Sequence, residues 1–249
     1  MSKKKDYRPR MNKSKKQMWE KWTNEESRVL VIGDTHCPFD LDTYLDFLVD
    51  TYKRYNCNKV IHIGDEVDHH YSSYHETDAN GLGGGQELSY AIKRLNRYYK
   101  VFPNVDVIIG NHTRIVMRKA QTGGIPKEWI KDYNEVLEVP NWNFHTELEY
   151  DGVLYNHGEG GTARTKCKSD LQSIVGGHLH TQLYSEYIVG RNNRVFGMQV
   201  GCGIDHEQYA FGYAKAGKKP AIGCGVVIGG KEAIAVPMIM ENYTKTKFK

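Results

Sequence analysis

The chain reads as an α/β protein, a four-layer α/β/β/α sandwich of two mixed β-sheets flanked by helices. Three apolar, β-prone runs predict the first sheet: Val29-Leu-Val-Ile-Gly33, Val60-Ile-His-Ile-Gly64 and Val105-Asp-Val-Ile-Ile-Gly110. Helix-like segments separate these runs, which argues for parallel strands joined by right-handed crossovers. From residue 136 the texture turns β-rich, which predicts a second sheet packed on the first with helices outside.

Taken in order, the elements are a strand over 28–33, a helix over about 42–54, a strand over 59–63, a helix over about 86–101 and a strand over 105–110. In the second helix Tyr90, Ile92, Leu95 and Tyr98 lie near helical spacing and read as a core stripe. Between Val67 and Gln86 runs His69-His70-Tyr71-Ser72-Ser73-Tyr74-His75, followed by Gly81-Leu82-Gly83-Gly84-Gly85. Loops this long without secondary structure are functional or disordered, and this one reads as a lid facing a substrate. Strand-like segments then follow at 142–145, 148–155, 173–175, 183–189, 194–200, 224–228 and 234–238. No internal repeat is visible.

With 249 residues, 39% of them hydrophobic, the chain is read as one domain over 25–242, between a basic arm at 1–24 and a basic tail at 243–249. No apolar run reaches the roughly 18 residues of a membrane span. The basic, polar start has no apolar stretch of the kind found in secretory signals. Five cysteines, an odd number with no C-x-x-C spacing, argue against a disulfide framework and for a reducing cytoplasm. Residues 1–17 hold eight Lys/Arg against Asp6, so the arm carries +7 and the rest of the chain −3 of the net +4. Such an arm is either a contact for a polyanion such as nucleic acid or a solubilising tail. Met18-Trp19-Glu20-Lys21-Trp22 offers apolar bulk that could dock on the domain.

The chemistry is concentrated in five short motifs: Asp34-Thr35-His36, Gly64-Asp65-Glu66-Val67-Asp68, Gly110-Asn111-His112, Asn156-His157-Gly158 and Gly177-His178-Leu179-His180. Three of them end an apolar run at glycine and then present an acid, amide or imidazole. That places the side chain at the carboxyl end of a strand, where open α/β sheets bind ligands. Asp34/His36 and His178/His180 are i, i+2 pairs, whose side chains leave an extended backbone on the same face.

The order Asp-x-His, Gly-Asp-x-x-Asp, Gly-Asn-His, His, Gly-His-x-His resembles the calcineurin-like metallophosphoesterases over residues 30–180. The resemblance implies that Asp34, His36, Asp65 and His180 hold one divalent metal. It implies that Asp65, Asn111, His157 and His178 hold a second, with Asp65 bridging, and that His112 is a catalytic histidine outside both ligand sets. It also implies the sandwich fold. The residue types agree with this chemistry, since two cations about 3.5–4 Å apart repel and need an anionic bridge. Ligands of carboxylate, amide and imidazole, with no thiolate, suit manganese, iron, zinc or cobalt better than a soft metal and do not choose among them; manganese is taken first, with iron, zinc, cobalt or nickel as alternatives. Asp68, His69 and His70 are read as substrate contacts at the rim. Two positions depart from the family pattern. Thr113 stands where an acid commonly orients the neighbouring histidine, which leaves the polarisation of His112 open. His69 replaces the arginine with which phosphoprotein phosphatases grip a dianionic phosphate.

These residues predict a two-metal hydrolase of phosphate esters, with a metal-bridging hydroxide as nucleophile and His112 assisting the departing oxygen. A phosphodiesterase is preferred, and a nuclease within that class, because the arginine is missing and the arm is basic. The alternatives are a phosphomonoesterase and a non-catalytic, metal-stabilised nucleic-acid-binding subunit. Two other signals are declined. Gly212–Lys218 and Gly225–Lys231 match G-x-x-x-x-G-K but continue with Lys219 and Glu232 instead of Ser/Thr. His62 reads as a core histidine, and His145 and His206 as surface or loop residues.

Overall fold

Strand β1 (Arg28–Ile32) is buried along almost its whole length. That is the signature of a strand covered on both faces, and it explains the unbroken Val-Leu-Val-Ile run. The computed structural model describes residues 12–14, 26–74, 77–208, 210–211 and 219–244. Most of the basic arm, the Met18–Trp22 segment, His75, Gly212–Lys218 and the last five residues lie outside the described residues.

After β1 come helix α1 (Tyr44–Arg54), β2 (Lys59–His62), helix α2 (Gly84–Val101) and β3 (Asp106–Ile108). Helices α3 (Ile115–Thr122) and α4 (Tyr133–Val136) precede β4 (Asn143–His145), β5 (Leu148–Tyr150) and β6 (Val153–Asn156). Helix α5 (Ala163–Asp170) leads to β7 (Ser173–Gly176), β8 (Leu183–Val189), β9 (Arg194–Val200), β10 (Gly223–Ile228) and β11 (Glu232–Pro237). A short helix, α6 (Glu241–Thr244), ends the described chain.

One sheet has the order β11-β10-β1-β2-β3-β4 and the other β5-β6-β7-β9-β8. β1, β2, β3 and β4 run parallel, and β10 and β11 add antiparallel partners, so the sheet is mixed. The second sheet is mixed as well, with β6, β7 and β9 parallel and β5 and β8 antiparallel at its edges.

Alternation along the strands sorts the core into layers. Val29, Val31, Ile61, Ile63 and Ile108 face Val153, Tyr155, Val175, Met198 and Val200 between the sheets. Leu30, Ile32, Val60 and Val107 face the other way, onto Tyr44, Leu48, Leu95 and Tyr98 of α1 and α2. On the far side Ala163 and Cys167 of α5 cover Ile174, Leu154 and Val195. Helices therefore close both outer faces of the predicted sandwich. Full burial of each Leu or Ile contributes about 1.5–3 kcal/mol.

Several local expectations change. In α2 the buried positions are Glu87, Ala91, Leu95 and Tyr98, an i, i+4, i+8, i+11 stripe, and Tyr90 is 50% exposed. The small Ala91 takes the inward position beside it. The 148–155 segment is two strands, because Asp151 and Gly152 both adopt positive φ and turn a hairpin. Helices α3, α4 and α5 were not foreseen. The loop after residue 67 is pinned where it is described. It forms a 3₁₀ turn at His70–Ser72, and Glu87 accepts hydrogen bonds from the amides of His70 (2.8 Å) and Tyr71 (3.2 Å). His62 is a core histidine with polar partners, Nε2 with Thr35 Oγ1 at 3.1 Å and Nδ1 accepting from the Gly64 amide. Burial pushes its pKa down to about 4, so the ring is neutral.

Asp40 ties α2 to the loop that follows β1. Its carboxylate accepts from Arg94 Nε at 2.7 Å and from the Tyr98 hydroxyl at 2.8 Å, and it is 5% exposed. Asp40→Ala leaves the buried Tyr98 hydroxyl and Arg94 Nε without their acceptor, while Arg94 keeps Asp42, and should cost about 2–3 kcal/mol. The measurement is urea unfolding at an unchanged m-value. A loss under about 1 kcal/mol, the worth of an exposed ion pair, would contradict this role.

Candidate metal centre

The strands of both sheets end at one edge, and their next residues form the centre. Asp34 follows β1, Asp65 follows β2, Asn111 follows β3, His157 follows β6 and His178 follows β7. Crowding of five chain segments at one point demands unusual backbone. His36, Asp65 and His178 have φ of 48°, 51° and 66°, a left-handed conformation that costs a non-glycine residue roughly 1–3 kcal/mol. It also demands glycine. A Cβ on Gly64 would lie 2.6 Å from His157 Nδ1, one on Gly110 would collide with the Asp65 carboxylate, and one on Gly177 with that of Asp34.

All seven predicted ligands converge. Asp34, His36 and His180 form one cluster whose ligand atoms lie within 4.8 Å of one another, and Asp65, His157 and His178 form another. Within the first, His180 Nε2 is 3.1 Å from Asp34 Oδ2 and 3.1 Å from His36 Nε2. Within the second, His157 Nε2 is 2.9 Å from Asp65 Oδ2 and 2.9 Å from Asn111 Oδ1. Asp65 Oδ2 is also 3.8 Å from His36 Nε2, so this carboxylate lies between the clusters. Asp34 Oδ1 is buried and has no hydrogen-bond partner. Buried lone pairs turned toward one another, with an orphaned carboxylate oxygen among them, are the donor set a hard or borderline divalent cation needs.

The outward nitrogens of the buried rings are held from behind. His36 Nδ1 lies 2.6 Å from Asp68 Oδ1, His157 Nδ1 3.0 Å from the Ile63 carbonyl and His112 Nδ1 2.6 Å from the Asp68 carbonyl. Such partners fix the tautomer and aim the other nitrogen inward. The field at the centre is anionic. Burial alone would lower the His157 pKa, but the charges of Asp65 and Asp34 push it up to about 10. Burial alone would raise that of Asp65, but His157, His112 and His36 hold it well below the usual carboxylate range.

Asp68 was expected to meet substrate. Instead it is 2% exposed and lies behind His36, with Oδ1 also 3.4 Å from His112 Nδ1. It orients two rings and has no face open to a ligand. His70 is likewise turned inward, 4% exposed, with Nε2 accepting from the Asp78 amide at 3.2 Å. His69 stays at the rim, its Nδ1 2.9 Å from the His112 carbonyl. The Thr113 departure has a structural reason. Its hydroxyl donates to Glu66 Oε2 at 2.8 Å, and burial pushes the Glu66 pKa up to about 8. An acid at 113 would put a second buried carboxyl against Glu66, while Asp68 already supplies the orienting group for His112. The spacing of Gly-Asp-x-x-Asp contained this signal. Phe211, whose ring lies 5.7 Å from that of His36, carried none.

If Asp68 orients His36, Asp68→Asn should weaken metal affinity about 10–100-fold. Metal titration of the purified variant, checked for folding by thermal unfolding, measures this. Unchanged affinity with impaired turnover would return Asp68 to the substrate contacts.

A family model described as calcineurin-like phosphoesterase matches residues 27–160. No curated protein matches the chain. Among solved structures, an archaeal phosphodiesterase is similar at 17% identity and a TM-score of 0.43, over 85% of this chain and 99% of its own. Yfce, a phosphoesterase from E. coli, is similar at 13% identity and a TM-score of 0.43, over 84% and 99%. Vacuolar protein sorting 29 from Cryptosporidium parvum is similar at 13% identity and a TM-score of 0.39, over 84% and 96%. With its model covering more than half of the residues, the chain belongs to the calcineurin-like phosphoesterase family.

Proposed function

We propose that the chain is a two-metal-dependent phosphodiesterase. The observation that supports it most is the intact inward-facing donor set, with His112 beside it but engaged elsewhere at Nδ1. In this reading Asp34, His36, Asp65 and His180 hold one cation, and Asp65, Asn111, His157 and His178 the other, with manganese the first choice. When bound, such a pair neutralises phosphoryl oxygens and makes water a better nucleophile near neutral pH.

The chain's own residues do the rest. Asp34 and Asp65 supply the negative charge that two neighbouring cations require. Asp68 holds His36 and, through its carbonyl, His112, leaving Nε2 of His112 free to pass a proton to the departing oxygen. Asn111, His178 and His180 are the half-buried members of the set and form its mouth. His69 stands at that mouth where a dianion-gripping arginine would be needed, which favours a singly charged diester over a monoester. Among the described residues no helix is long and apolar enough to cross a membrane. The five cysteines are free and buried, which supports the cytoplasm as the compartment.

The test is turnover of bis-p-nitrophenyl phosphate and p-nitrophenyl phosphate with Mn²⁺, and with Fe, Zn, Co or Ni in its place. The diester should be the better substrate, and chelator should abolish its hydrolysis. His112→Ala should keep its metal and slow hydrolysis of diesters with poor leaving groups by about 10²–10⁴. The loss should be smaller with p-nitrophenolate, which needs little protonation. No turnover of either substrate with any of these metals would favour a non-catalytic binding role. Metal loss from the variant would make His112 a ligand.

A further inference from the structure

The outward face of α2 and the loop after β1 enclose a groove of about 810 Å³, lined by Pro38, Phe39, Tyr90, Lys93, Arg97 and Lys100 among others. Positions 90, 93, 97 and 100 are spaced three, four and three apart, so they form one stripe opposite the buried Ala91, Leu95 and Tyr98. The stripe is cationic. Among the described residues no carboxylate forms an ion pair with Lys93 or Lys100, both exposed, and Arg97 donates to the main-chain oxygen of Asp42 at 2.9 Å. Of the nearby acids, Asp40 and Asp42 are engaged by Arg94, and Asp205 accepts from the Glu207 amide and from Gln208 Nε2. Together they leave two negative charges against the three cations of the stripe.

The groove borders the loop that carries Asp34 and His36, with the buried rings of Phe39 and Phe211 packed between it and His36. Its wall at Pro38 and Phe39 belongs to the same loop as Asp34 and His36. The Phe39 ring meets Phe211 at 6.2 Å, and Phe211 meets His36 at 5.7 Å. From Tyr90 to Lys100 the helix rises about 15 Å at ~1.5 Å per residue. That is the span of about four nucleotides at the ~3.4 Å rise of one duplex strand. A half-exposed tyrosine at the upper end of a line of unpaired cations has the makeup of a single-strand track. The cations follow the phosphates, and the ring accepts the face of any base.

We propose that this groove binds the phosphodiester backbone of a single-stranded polynucleotide, with Lys93, Arg97 and Lys100 on successive phosphates and Tyr90 under a base. A strand bound there would lie beside the loop that carries Asp34 and His36. The binding stands on the groove alone, and its catalytic consequence rests on the phosphodiesterase reading. The basic arm is not needed for it.

The test uses the full chain with its metals and a fluorescent, cleavage-resistant phosphorothioate oligothymidylate, titrated across a range of salt. The variant carries Lys93→Gln, Arg97→Gln and Lys100→Gln. A control removes as many charges from the second sheet's side of the molecule, through Lys168→Gln, Arg191→Gln and Arg194→Gln. The groove variant should bind at least about tenfold more weakly, with the salt slope reduced by about 2, from three contacts at about 0.7 each. Tyr90→Ala should weaken binding and leave the slope alone. The control should keep both affinity and slope, and all variants should hydrolyse bis-p-nitrophenyl phosphate as the parent does. An unchanged slope in the groove variant, or an equal fall in the control, overturns the proposal. So does anionic-vesicle binding that the groove variant loses while its oligonucleotide binding persists. Groove-dependent binding in a chain inert toward small diesters would support this inference and defeat the phosphodiesterase reading alone.

Discussion

The strand edge is organised around the carboxylate of Asp65. Its Oδ1 accepts the amides of His112 at 2.8 Å and Thr113 at 3.3 Å, which fixes the turn after β3. Its Oδ2 faces His157 from β6 and His36 from β1. Its main-chain oxygen accepts the amides of Thr35 and His36, which fixes the turn after β1. One residue thus ties its own motif to three of the other four and spans the join between the two sheets. That dependence explains why Gly110 cannot carry a side chain, since the space a Cβ would take is filled by the Asp65 carboxylate.

Such an arrangement is costly by itself. Three of the candidate ligand positions sit in left-handed backbone, two buried carboxylates of the set lie close together, and an oxygen of Asp34 has no partner. Packing behind the site holds it in place. Ile63 and Ile108, both fully buried, anchor the strands on either side of the Asp65 turn, and Asp68 braces two rings at once. Strained backbone and buried carboxylates at one point, held by a rigid two-sheet core, suit a candidate cation site.

Much of this was legible in the residues. Gly-terminated apolar runs gave the strand ends, and the i, i+2 pairs gave a converging set, because strand periodicity is a local property. What was missed depends on tertiary context. Tyr90 and Ala91 are neighbours on a helix, and only packing against β1 and β2 decides which one turns inward. Asp68 carries the same chemistry as a substrate-facing acid until the fold places it behind His36. The short helix α5 has no strong apolar stripe, only Ala163 and Cys167 buried, so its position over β7 and β9 could not be read from periodicity. Thr113 became intelligible only when Glu66, distant in sequence, arrived beside it.

The central claim is that Asp65 stands between two cations. Crystals grown with Mn²⁺ and measured across the manganese absorption edge would address it directly. Two anomalous peaks should flank the Asp65 carboxylate about 3.5–4 Å apart. One should lie nearest Asp34, His36 and His180, and the other nearest Asn111, His157 and His178. A single peak, or peaks that leave Asp65 outside both coordination shells, would contradict the account.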